Sequence, residues 1–254
     1  MRGVNRPYLP GILLLVVLGG TFWTCGKGDR PHIDGKKFAV GWDSLETEHF
    51  MILSPPNSPR KEQALYKFGE ACEGIYTQAA KALELNVKDR ITVYLFTTNQ
   101  DCEAATGHSA GYVDRFTICT RIGGSMGGVI AEATCASIDP EAPSFPLIRN
   151  GVRYLFDQRD RNVHGDGATL RANGRWPKLA ALLTMTNVTD QEAYDCACAS
   201  FVAFLLQRYG VDHFKMLWRS VLELRPSLER IYGGSLQQMQ DEWNAVLDHE
   251  SKRT

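Results

Sequence analysis

The chain has 254 residues, 44% of them hydrophobic and 22% charged, with a formal net charge of −1 at pH 7. That length suits one domain with a sizeable core, and the composition is that of a globular protein. The balanced charge, with no basic stripe, excludes the electrostatic footprint of a nucleic-acid binder.

The first element is a targeting segment. Arg2 and Arg6 give a positive start, and Leu9 to Leu18 is an apolar run broken only by Pro10 and Gly11. The run is short for a membrane-spanning helix, so residues 1–24 read as a secretory signal peptide. Cys25, followed by Gly26, is the candidate lipid-attachment residue. Phe22-Trp23-Thr24 departs from the small residues usual before a lipoprotein cysteine, so ordinary cleavage and an uncleaved anchor stay open. A lipid on Cys25 would hold the protein on a membrane of the bacterial cell envelope, outside the cytoplasm. Residues 25–45 carry Gly, Lys and Asp without an apolar period and read as a tether, which places the folded domain at 46–250.

From about Pro59 to Leu85, Leu65, Phe68, Cys72, Ile75, Ala79 and Leu83 recur at three-four spacing, the stripe of an amphipathic helix. Arg90 to Thr97 alternates and is rich in β-branched and aromatic residues, so it predicts a strand. Asn99 to Ala105 predicts a short helix, and Gly111 to Ile122 one or two strands. Gly123, Gly124, Gly127 and Gly128 then lead into a helix near Gly124–Ser137; they lack the Lys-Ser/Thr of a phosphate-binding loop. Asn162 to Pro177 is polar and Gly-rich and predicts an exposed loop carrying His164. Glu192 to Arg208 predicts a helix closed by Gly210, followed by Val211 to Leu224 with Phe214, Leu217, Trp218 and Val221 inward. The last helix opens at Ser235, with Gln238 completing a capping box, and buries Leu236, Met239, Trp243 and Leu247.

Apart from Cys25 there are six cysteines: Cys72, Cys102, Cys119, Cys135, Cys196 and Cys198. An even number outside the cytoplasm favours disulfides, although six cysteines allow fifteen pairings. Burial as small apolar residues is the competing reading. Cys196 and Cys198 are two apart on one helix and therefore face nearly opposite ways.

Several segments together resemble the bacterial peptidase MA-like family of gluzincin-type zinc metallopeptidases, from about Thr47 to Leu247. They are Glu46 to Leu53 (E-T-E-H-F-M-I-L), the strand Arg90 to Phe96 and the Gly111 to Cys119 segment. Pro146 to Phe156 (P-L-I-R-N-G-V-R-Y-L-F) and the closing helices Phe201 to Gly210 and Gly233 to Trp243 complete the set. The resemblance implies an α/β (α+β) zincin-like fold: a small mixed sheet, a pseudo-active-site helix and a helical C-terminal lobe. Zincins carry H-E-x-x-H because two His at i and i+4 reach one Zn²⁺ from one helix face while the Glu handles the proton of the bound water. Here those places hold Ala131, Glu132 and Cys135, and the third-ligand position is Asn150. Only Glu132 carries over, as a relic of the general base. A methyl group ligates nothing and a neutral amide is a poor zinc ligand, so the resemblance implies a degenerate member with no metal, no cofactor and no catalytic residue.

The expected function is therefore that of a non-catalytic envelope lipoprotein that binds a peptide or envelope protein, or scaffolds an assembly. The alternative is an active metallopeptidase-like hydrolase with a rebuilt metal site, using Glu132, Cys135 and a further ligand, or a Cys135 nucleophile needing a His base. Two disulfides are candidates: Cys135–Cys198, fastening the pseudo-site helix to the helical lobe where the metal once did, and Cys102–Cys119 in the strand region.

Overall fold

The computed structural model describes residues 33–56, 62–142, 145–157, 160–184 and 188–253. The signal peptide, Cys25 and the expected start of the first helix near Pro59 lie outside the described residues. The described chain is mixed α/β, with ten α-helices and a five-stranded mixed sheet. Strands β1 (Asp43–Glu46), β2 (Phe50–Ser54), β3 (Ile91–Phe96), β4 (Tyr112–Asp114) and β5 (Thr117–Arg121) are ordered β1-β2-β3-β5-β4. The central β2, β3 and β5 run parallel, and the two outer strands pair antiparallel to them.

The period-2 pattern of the strands explains the layers. Phe50 and Ile52 on β2, Ile91 and Val93 on β3 and Ile118 on β5 are fully buried and share one face. That face packs on α1 (Glu62–Ala82) through Cys72, Tyr76 and Ala80, and on α3 (Gly127–Cys135) through Val129, Ile130 and Ala133. The opposite face, with Tyr94, Phe96 and Cys119, is covered by α2 (Asn99–Thr106) and by the chain before β1. Helix α2 is held at its start by a reciprocal capping box between Thr98 and Asp101, and at its end by Gly107 in the left-handed conformation, φ 73°.

The chain before β1 corrects the expected tether. Residues 33–42 pack rather than dangle: Ile33 is buried, its N–H donates to the Asp114 carboxylate at 3.3 Å, and Phe38 and Trp42 meet Tyr94 and Phe96 edge-on or tilted. Gly35 lies so close to Tyr94 that a Cβ would fall 1.7 Å from its hydroxyl oxygen. The weak hydropathy of this stretch hid a few large aromatic anchors.

The remaining helices are α4 (Pro146–Asp157), α5 (Val163–Ala172), α6 (Leu179–Thr184), α7 (Gln191–Tyr209), α8 (Val211–Trp218), α9 (Leu224–Tyr232) and α10 (Leu236–Ser251). They form a second core around the fully buried Phe201, Phe204, Phe214, Met239 and Trp243. Three expectations are corrected here. Asn162 to Pro177 is helical over α5, with Asn162 accepting from the Gly165 N–H as its N-cap and His164 buried. The helix from Val211 stops at Trp218, which leaves Val221 78% exposed rather than inward. At α10, Ser235 accepts from the Gln238 N–H, but the Gln238 side chain turns to Glu242. Among the described residues, no helix is long and apolar enough to cross a membrane.

Candidate functional site

The site forms where α3 and α4 touch, and glycines set how closely they do. A Cβ on Gly128 would sit 2.5 Å from the carbonyl oxygen of Arg153, and one on Gly127 2.5 Å from that of Phe156. Gly127 and Gly128 are therefore part of helix α3 and its contact, not only a loose approach to it. Gly151 does the same between α4 and α7, where a Cβ would lie 2.4 Å from the Cys198 carbonyl oxygen. Helix α3 has no side-chain cap of its own. The Asp157 carboxylate, from the far end of α4, accepts from the Gly128 N–H at 2.7 Å and supplies the negative charge a helix start favours.

Eight of the nine residues of α3 are buried. Ala131 and Cys135, one turn apart, have no exposure and join the helical core beside Ile148 and Val152 of α4. Burial, assisted by the Glu132 charge, pushes the Cys135 thiol well above its ordinary range, which keeps it protonated and unreactive. Asn150 donates from Nδ2 to the Tyr194 hydroxyl of α7 at 3.3 Å.

Glu132 occupies the centre of the seam, its side chain only 4% exposed. One carboxylate oxygen pairs with Nε of Arg149 and the other with Nε of Arg153. The two arginines are four apart on α4, so they stand on adjacent turns and close on the carboxylate from both sides. A lone carboxylate here would carry a large desolvation cost, and paired guanidinium groups offset it. The seam opens on a narrow cleft lined by Val113, Arg115, Phe145, Ile148, Trp218 and Glu132. Arg115, in the turn between β4 and β5, sits at φ 52° and pairs with Glu141 at 2.6 Å.

These residues do not fit a zinc ion. Ala131 has no donor atom, Cys135 is a buried thiol turned into the core, and both oxygens of Glu132 are committed to arginines. Among the described residues, no cluster of three His, Cys, Asp or Glu is placed to hold a metal.

The six described cysteines are all free thiols. Cys135 and Cys198 both lie in the helical core without a bond between them, so the structure does not contain the expected fastening of α3 to α7. Cys196 and Cys198 do point apart: Cys196 reaches the Val163 carbonyl, and Cys198 faces the main helical core. Cys102 and Cys119 lie in one small buried cluster between α2 and β5, but as free thiols, so the expected second disulfide is not formed either.

One polar cluster escaped the sequence reading. His164, 6% exposed, has Nδ1 2.9 Å from the Ser200 hydroxyl, which also accepts from the Trp243 indole at 3.0 Å. The indole can only donate, so the simplest balance has Ser200 donate to Nδ1 and leaves the ring proton on Nε2. Burial lowers the His164 pKa; the Gln207 side chain and the Glu250 charge counter it in part. No spacing rule links positions 164, 200 and 243; the packing of α5, α7 and α10 brings them together.

No family model matches the chain, and no curated protein matches it either.

Proposed function

We propose that this protein is a non-catalytic zincin-like domain, a pseudo-peptidase that uses its cleft to bind a peptide or protein segment. The observation that carries the reading is the Arg149–Glu132–Arg153 seam. Two fixed cations from α4 meet the carboxylate that the resemblance assigns to the general base. They hold each Glu132 oxygen in an ion pair, so the carboxylate is not the unpaired base that would face a metal-bound water. What the cleft retains suits binding: apolar walls from Val113, Phe145, Ile148 and Trp218 beside β4, the terminal strand of the sheet. An extended peptide lying along β4 would be recognised by main-chain pairing and by side chains entering the cleft. Lipid attachment at Cys25 and a place on the cell envelope belong to the same proposal, resting on the N-terminal sequence.

The test uses the purified chain with an array of extended peptides and with fluorogenic peptidase substrates. We expect a peptide subset that binds, weakens by at least about tenfold in Trp218→Ala, as loss of an aromatic anchor does, and is not cut. Chelator-sensitive hydrolysis would overturn the reading in favour of a rebuilt metal site.

A further inference from the structure

We propose that the molecule has a second binding pocket, at the opposite end of the sheet from the cleft, which takes a small neutral apolar molecule carrying one hydroxyl or carbonyl oxygen. Arg115, at the cleft, precedes β5, whereas Ile122 and the glycines at this pocket follow it. The parallel strands β2, β3 and β5 thus point their carboxyl ends at the pocket, the side on which α/β sheets commonly open a crevice.

Three elements build it. Ser54 and Leu95 lie two residues beyond Ile52 and Val93 on β2 and β3, so strand alternation turns them to the face covered by α1. Helix α1 supplies one wall with Leu65, Phe68 and Ile75, part of its apolar stripe, each only half-buried. The other wall follows β5. There the Ile122 N–H donates to the Phe96 carbonyl at 2.9 Å, and Gly123, at φ 80°, turns the chain towards α3. The half-buried side chains of α1 and the exposed Ala71 at the rim leave the pocket open to solvent.

Two observations select the ligand. Among the described residues that line the pocket, none carries a charge. An ionised group entering it would lose water without gaining a counter-ion, so a neutral molecule fits and a carboxylate does not. Ser54 is 5% exposed and lines the pocket, and its hydroxyl has no hydrogen-bond partner among the described residues. A hydroxyl both donates and accepts, so one ligand oxygen would satisfy it. The apolar remainder of the ligand would cover Leu65, Phe68 and Ile75 and remove their surface from water. The pocket is separate from the peptide cleft, and its ligand does not depend on the function proposed for that cleft.

The experiment uses the full chain in lipid nanodiscs, with labelled Ile, Leu and Met methyl groups and 1-octanol as the probe, its free concentration read from its own signals. We expect saturable shifts at Leu65, Ile75, Leu95, Ile122 and Met126, and none at Leu228, Met239 or Leu247 in the helical core. Octanoate, with the same chain length and a charge, should bind at least about tenfold more weakly. Ser54→Ala should weaken octanol by about threefold to tenfold, as loss of one hydrogen bond does. Ala71→Trp, at an exposed rim position, should block binding while the helical-core methyl signals stay in place. No saturable shift at the lining methyls, or contacts from residues 57–61 to those methyls that octanol does not displace, would overturn the proposal. Octanoate binding as tightly as octanol would overturn the neutral class, and an unchanged affinity in Ser54→Ala would overturn the role of its hydroxyl.

Discussion

Glu132 and His164 are both almost wholly buried, yet the molecule accommodates them in opposite ways. Glu132, between α3 and α4, is met by two guanidinium groups. His164, between α5, α7 and α10, meets the neutral hydroxyl of Ser200, itself fixed by Trp243. The first arrangement stabilises an ionised group by charge, beside a cleft. The second meets neutral partners and favours a neutral ring, although His164 also borders a groove lined by Gln207, Val246 and Glu250. The contrast teaches that two buried titratable residues, each bordering a cavity, are set apart by the charge of their partners. The neutral network is tied together at His164 Nδ1, Ser200 and Trp243, while His164 Nε2 is buried without a hydrogen-bond partner.

The largest effect should come from breaking the charged seam on one side. Glu132→Ala leaves two partly buried guanidinium groups facing each other and should cost about 3–5 kcal/mol in urea unfolding. Replacing all three together, Glu132→Leu with Arg149→Met and Arg153→Met, should cost far less or be neutral, because buried ion clusters rarely outweigh apolar packing. Next comes the α4–α7 contact. Gly151→Val forces side-chain atoms against the Cys198 carbonyl and Val202, and overpacking of this kind costs about 1–3 kcal/mol.

The neutral network should respond less, and with pH. Ser200→Ala leaves the Trp243 N–H and His164 Nδ1 without a partner and should cost about 1–3 kcal/mol. The folded pKa of His164 lies below the ordinary 6.5 because of burial. The unfolded chain therefore binds more protons than the folded one below that pH. Stability is full above about pH 6.5 and falls as the pH drops towards the folded value, by at most about 1.4 kcal/mol per pH unit. Urea midpoints between pH 7 and 5 should show this slope in the wild type and a shallower one in His164→Gln. The smallest effect is Arg225→Ala, which removes an exposed i,i+4 pair with Glu229 in the less favourable order and should change stability by under about 0.5 kcal/mol.

The sheet and the longer helices were legible because their apolar periods are strong: Phe50, Ile52, Ile91 and Val93 alternate, and Phe201, Leu205, Trp243 and Leu247 recur at helical spacing. Helix α5 was hidden by two glycines, Gly165 and Gly167, and by polar residues that suit a loop as well. Gly167 is there because Trp176 packs over it, with a Cβ falling 2.7 Å from the indole, a tertiary reason no local pattern carries. At the candidate site, the positions Ala131, Glu132, Cys135 and Asn150 could be picked out, but the partners of Glu132 could not. Arg149 and Arg153 carry no local signal of their pairing with Glu132, which exists only once α3 is laid against α4. The absence of the expected Cys135–Cys198 and Cys102–Cys119 bonds likewise depends on which helix faces which layer.

The central claim is that two arginines stand where a catalytic domain would place a metal's demands on Glu132. Metal content of the purified chain, prepared without chelator and measured by mass spectrometry, tests it most directly. The account predicts well below one zinc per chain, unchanged when zinc is offered in slight excess and then removed by gel filtration. About one retained zinc per chain, lost on replacing Glu132 or Cys135 in a folded variant, would contradict it and identify a rebuilt metal site.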